Sequence, residues 1–258
     1  MSRTKHSFFS LPSIGFITAA LLASGVANAA DAVANAALEE VRAKIDAMFQ
    51  EIGPENVNES PVDGWYTVHK GSVIAYVSQD GRYLLQGDMI DLDQQVNLSE
   101  LARSESRREV MSALEDEQTI IFSPAKPKHR VTVFTDVDCT YCRKLHGQMD
   151  EYLAAGIEIR YLLYPRNGPS SRSWNKSEEV WCARDRNRAL TAAKLDRDFE
   201  TNKCDASVIT THYMLGQNVG LTGTPAIVFE DGTLVSGYLP PATLTSRLQL
   251  MQQTASNH

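Results

Sequence analysis

The stretch VTVFTDVDCTYCRKLHGQM, residues 131–149, decides how this chain is read. Val131 to Thr135 is a β-branched and aromatic run of strand length, and a helix is expected from about Cys139 to Ala155. Between them stands Cys139-Thr140-Tyr141-Cys142. A thiol at the start of a helix meets unpaired backbone N–H groups and a partial positive charge, which favour thiolate over thiol. In C-x-x-C motifs an ordinary thiol pKa of about 8.5 falls to roughly 3.5–7.5. Cys139 is nearest those donors and is the expected nucleophile. Cys142 lies three residues on, on the same helical face, where it can resolve a mixed disulfide. Arg143 and Lys144 read mainly as solvated surface charges.

Three other readings compete. A c-type haem site needs His directly after the second cysteine, and Arg143 stands there. Zinc needs further ligands at matching spacing; only His146 is near, and there is no second C-x-x-C. A purely structural Cys139–Cys142 bridge would close so short a loop that it removes little unfolded-state entropy. Thiol–disulfide exchange leads, with zinc and the structural bridge as minor alternatives. No cofactor or metal is expected.

Working outward, IEIRYLLY (157–164) is the next strand and completes a βαβ unit. Helical stretches around 175–195 and 205–219 follow, then strands AIVFE (226–230) and TLVSGY (233–238) about an Asp231-Gly232 turn. A last helix starts after Pro240-Pro241. The order is that of an α/β domain with a helical insertion. Cys182 and Cys204 fall in that insertion. Four cysteines allow three pairings, and in an oxidising compartment 139–142 with 182–204 is expected. A Cys182–Cys204 bridge would be worth about 3 kcal/mol on the loop-entropy model; a second redox pair is the alternative. An ordinary X-Pro bond is cis about 5–6% of the time, but Thr224-Pro225, behind a C-x-x-C in a βαβ setting, is expected to be cis.

The front of the chain has a different pattern. Residues 31–50 place Val33, Ala37, Val41, Ile45 and Phe49 at four-residue steps, an amphipathic helix. Short β-rich runs follow at 65–69, 73–78, 82–86 and 89–92, with Gly71 and Gly81 in the turns. So small a unit buries a modest core and is often stabilised by oligomerisation. Residues 97–118 read as a charged helix with a thin apolar stripe of Leu101, Val110, Met111 and Leu114, capped by Asn97 or Ser99. It serves either as a spacer or as a helix packed on a neighbour. The prolines of SPAKPK (123–128) mark a boundary.

Arg3 and Lys5, the apolar stretch Ile14–Ala23 and the small-x-small pattern Ala27-Asn28-Ala29 make residues 1–29 a secretory signal peptide, cut after Ala29. Of 258 residues, 43% are hydrophobic and 22% charged, as in an ordinary globular protein. The net charge of -7 argues against nucleic acid as a partner. Residues 30–92 carry 4 basic and 11 acidic groups, whereas 119–258 carry 16 and 14. The acidity therefore belongs to the front half.

FTDVDCTYCRKLH (134–146), YLLYPR (161–166), WCARDRN (181–187) and GLTGTPAIVFEDGTLVSGYLPP (220–241) resemble the bacterial periplasmic disulfide isomerases of the DsbC/DsbG type, and GRYLLQGDMIDL (81–92) resembles their N-terminal domain. The resemblance implies a cystatin-like helix-plus-antiparallel-sheet dimerisation domain over 30–92. A helical linker over 93–122 and a thioredoxin-like catalytic domain over 123–258 would follow. It further implies a periplasmic homodimer whose cleft receives misfolded disulfide-containing clients. Cys139 would attack and Cys142 resolve, with Tyr141, Thr224 and Pro225 against the client and Cys182–Cys204 as the structural bridge. A membrane thiol reductase of the DsbD kind would keep the redox pair reduced. Thr140 stands where Gly or Pro is more familiar, which leaves the balance among isomerase, oxidase and reductase, including sulfenic-acid reductase, open.

Overall fold

A computed structural model of the chain describes residues 23–49 and 51–256. The basic start and most of the apolar run of the expected signal peptide lie outside them. Helix α1, Ala23–Met48, runs through the expected cleavage point after Ala29 and on into the front domain. Its buried stripe is Leu38, Val41 and Ile45, with Ala37 half-buried and Phe49 38% exposed. Four-residue steps advance about 40° per step around a helix of 3.6 residues per turn, so a strict i+4 series drifts off the packed face.

That stripe lies on Val57, Tyr66, Val68, Ala75 and Val77. These belong to β1 (Val57–Glu59), β2 (Trp65–Lys70) and β3 (Val73–Ser78), which with β4 (Leu84–Gln86) form an antiparallel meander in the order β1-β2-β3-β4. The tip of the meander is followed by a two-residue pair, β5 (Ile90–Asp91) and β6 (Val96–Asn97). Of the expected runs, 82–86 shortens to three paired residues and 89–92 to two. β1 carried no sequence signal, being only three residues long.

Helix α2, Leu98–Ser112, is capped by Asn97, whose side chain accepts from Glu100 N at 2.9 Å. It is six residues shorter at its end than the expected 97–118 stretch. It is also no free spacer. Its first turn is tied to the front sheet: Ser99 Oγ shares a buried hydrogen bond with Tyr76 and accepts from Met89 N at 2.8 Å. Its far end buries Met111, with Val110 and Leu114, against Phe134, Leu162 and Val228. Arg107 Nε donates to Gly232 O at 2.7 Å, and a Cβ on Gly232 (φ +84°) would meet Ser104 O at 1.7 Å. The backbones approach that closely because residue 232 has no side chain.

The second domain holds a five-stranded sheet made of β7 (Ile120–Phe122), β8 (His129–Thr135), β9 (Ile157–Leu163), β10 (Ala226–Phe229) and β11 (Leu234–Ser236), ordered β11-β10-β8-β9-β7. β8 and β9 are parallel; the other pairings are antiparallel. β7 lies within the 93–122 stretch expected to be linker, yet it pairs with β9, Ile120 opposite Tyr161. Alternate residues face opposite sides. Val131, Val133, Ile157, Ile159, Tyr161, Ile227 and Phe229 enter the main core, while Phe134, Leu162, Ala226 and Val228 meet α2. Both faces are covered, so β9 is buried along its whole length, Glu158 and Arg160 included.

The expected helix 139–155 is two, α3 (Thr140–Gly147) and α4 (Met149–Ala154), broken at Gln148. The insertion contributes α5 (Arg172–Trp181), α6 (Arg186–Lys194) and α7 (Val208–Asn218), and α8 (Pro241–Ser256) closes the chain with proline in its first turn. No helix among the described residues is long and apolar enough to cross a membrane.

Candidate active site

β8 ends at Thr135, and four residues later Cys139 caps α3 with extended backbone (φ -82°, ψ 123°). Both redox cysteines are free thiols and buried, Cys139 3% and Cys142 1% exposed. Opposite them, the Thr224–Pro225 bond is cis and Pro225 is buried ahead of β10. The Cys139 thiol donates to Thr224 O at 3.2 Å. Thr224 Oγ1 is buried with no hydrogen-bond partner. A thiolate can only accept, so ionisation of Cys139 turns the neighbouring Thr224 hydroxyl, rather than its carbonyl, into the useful partner.

The two sulfurs are driven apart in acidity. Cys139 is pulled from 9.0 down to about 5, first by the hydrogen bond from the Cys142 thiol. Burial opposes that; the Thr224 side chain, the Cys142 N–H and the charge of Arg166 add to it. Cys142 is pushed far above the ordinary thiol range, chiefly by burial and then by its hydrogen bond to Cys139. A single pair thus supplies a thiolate and a protonated thiol near neutral pH.

Asp136 and Arg166 support this pair and were not singled out from the sequence. Asp136 is 1% exposed and accepts from Asp138 N at 2.9 Å, Arg166 N at 3.0 Å and Arg166 Nε at 3.2 Å. That carboxylate fixes the guanidinium whose charge favours the Cys139 thiolate. The signal available was position alone: an acid directly after the strand that precedes C-x-x-C. Tyr141 is 61% exposed at the mouth of the site. Arg143 binds Asp196 (Nη2–Oδ1 2.9 Å) and Val137 O, and Lys144 lies 4.7 Å from the Tyr238 ring centroid. His146 is buried and pushed down to about 3 by burial and by Lys194. Its nitrogens meet Tyr161 OH at 3.3 Å and Thr191 Oγ1 at 2.9 Å. Cys182 and Cys204 are bonded, Cα–Cα 5.5 Å, away from the thiols in the insertion.

Two neighbouring thiols of opposite acidity are the arrangement that thiol–disulfide exchange needs, and the domain that holds them has the thioredoxin fold. Residues 116–252 match the family model described as "Thioredoxin-like domain", and residues 27–100 match "Disulfide bond isomerase protein N-terminal domain". The chain belongs to the DsbC family of thiol:disulfide interchange proteins and is an oxidoreductase/isomerase. It is 39% identical over 228 residues to "Thiol:disulfide interchange protein DsbC" of Dickeya dadantii, covering 88% of this chain and 90% of the relative. Identity to the Escherichia coli K12 protein of the same name is 37% over 244 residues, 94% and 98% of the two chains. Among solved structures, the disulfide interchange protein from Neisseria gonorrhoeae superposes with TM-score 0.45 and 26% identity, covering 52% of this chain and 97% of its own.

Proposed function

We propose that this enzyme is a periplasmic protein disulfide isomerase that rearranges wrong disulfides in exported proteins. The observation that carries the reading is the split acidity of the pair. Cys139, held as thiolate at neutral pH, attacks a client disulfide; Cys142, still protonated, waits. A nucleophile that persists on the client long enough to let other client thiols compete is what isomerisation requires. Thr224, Pro225 and the exposed Tyr141 line the approach to Cys139 and contact the client segment. Cys182–Cys204 is the structural bridge of the insertion. A DsbD-like membrane thiol reductase returns the pair to the dithiol after each oxidation.

The working form is a homodimer built through the front domain. Among the described residues β4 is an edge strand, paired on its β3 side alone, and it exposes Leu84 at 49% and Leu85 at 50%, with Tyr83, Ile90 and Leu92 exposed nearby. An open apolar edge of that kind is a template for a second copy.

The test is recovery of activity by a scrambled multi-disulfide client. Wild type should restore it and Cys139→Ala should not. Failure of the wild type beside a working isomerase would overturn the reading. A strongly oxidising pair, found as disulfide in the cell, would favour the second reading of an oxidase. Reduction of sulfenic acids without reshuffling would point instead to a DsbG-like reductase.

A further inference from the structure

Lys194, at the end of α6, is a buried cation that the exchange chemistry above does not use. It is 2% exposed, and its Nζ donates to Thr135 Oγ1 at 2.7 Å, at the strand end that leads into the C-x-x-C turn. The ammonium lies 5.6 Å from the Tyr161 ring centroid, on β9. An ammonium moved out of water persists only where other groups compensate it. One neutral hydroxyl and one ring face compensate little. Asp136 is near, but both its oxygens already receive the Arg166 and Asp138 donors. The remaining groups whose charge it feels are on α3 or at its cap: Cys142, Cys139, Arg143 and His146.

We propose that Lys194 is a positioning residue for disulfide exchange, its buried ammonium supplying the positive charge beside which Cys142 ionises as it resolves a mixed disulfide. This rests on Cys139 as nucleophile and Cys142 as resolving thiol. In the step concerned, Cys142 gives its proton to solvent and its thiolate attacks Cys139 Sγ. The Cys142–Cys139 bond forms and the Cys139–client bond breaks. The client sulfur departs with the electron pair and takes up a proton, so the client is reduced and the pair oxidised.

The electrostatics run both ways, as linkage demands. Burial pulls Lys194 down to about 8, against the sulfurs and Asp136, which hold it up. In turn the Lys194 charge is the foremost influence that lowers Cys142 against its burial. The insertion therefore reaches back into the active site: α6 carries the charge, α3 the thiol. Losing it would prolong the mixed disulfide, shifting the enzyme from reductive release toward rearrangement.

The experiment is single-turnover release of a client trapped on Cys139, followed across the neutral pH range in the full protein. Lys194→Met should slow release roughly tenfold or more and move its profile to higher pH, since a nearby opposite charge shifts a pKa by about 1–3 units. Alkylation of Cys139 should shift less than release does, because Cys142 is the sulfur most strongly coupled to Lys194. Thr135→Val, which keeps the charge, should release at near the wild-type rate. An unchanged profile in Lys194→Met, or an equal loss in Thr135→Val, overturns the proposal. A measurement on the wild type guards against a variant that does not fold. The Lys194 Nζ signal should titrate at higher pH in the dithiol than in the disulfide form, and identical titrations also overturn it. Cys142→Ala separates the two levels: if it accumulates no mixed disulfide, the roles of the cysteines fail rather than the role of Lys194.

Discussion

Cys139 and Cys142 lie buried at the head of α3 beneath a cis-Pro turn, whereas Cys182 and Cys204 are joined in a bridge between α5 and the segment before α7, with Cys204 exposed. The surroundings differ in a way that runs against simple exposure. The buried pair is the one poised to react, because the hydrogen bond from Cys142, then Thr224 and Arg166, favour charge on Cys139 despite its burial. The bridged pair closes a 22-residue separation in a region of short helices, where a covalent tie restrains the unfolded chain most usefully. Reactivity follows local electrostatics, and permanence follows loop closure.

The sharpest way to break this comparison is through acidity. The folded pKa of Cys139 is about 5 against 9.0, so the reduced protein should gain stability as pH rises through that window and lose it as pH falls through about 5. The oxidised protein should lack this slope. Denaturant unfolding of the two forms across the window reads the difference, and parallel curves would show that Cys139 is not held as a thiolate. The second perturbation is at the bridge. Cys182→Ala with Cys204→Ala should cost about 3 kcal/mol in unfolding experiments, with alkylation of Cys139 unchanged. A comparable loss of thiol reactivity would mean that the two pairs are not independent. The smallest effect is at Thr224. Thr224→Val removes the hydroxyl available to the thiolate and should raise the Cys139 midpoint by about one unit, read from thiolate absorbance. No shift would assign the acidity to Cys142 and Arg166.

Much of this was legible along the chain. C-x-x-C after a strand, Thr224-Pro225 before another, and the Asp231-Gly232 turn each carry a local signature, and strands β8, β9 and β10 fall where their apolar runs stand. What was misread or missed shares one cause. β1 and β7 have three residues each, too few for a period, and exist because β2 and β9 offer them an edge. The stripe on α2 was visible, but whether it covered a neighbour or faced water depended on Phe134, Leu162 and Val228, distant in sequence. Lys194 ends a short polar helix and carries no local signal; the docking of α6 on α3 turns it inward.

By itself, then, the sequence determined the order of the elements, the reactive dipeptide frame and the partner proline, because each is set by interactions within a few residues. The tertiary structure alone decided how acidic each thiol is, what α2 does and which charge faces Cys142. Those depend on desolvation and on charges brought together from β8, α3, β9, α6 and the loop before β10, and low-dielectric contact between distant segments leaves no trace in local pattern.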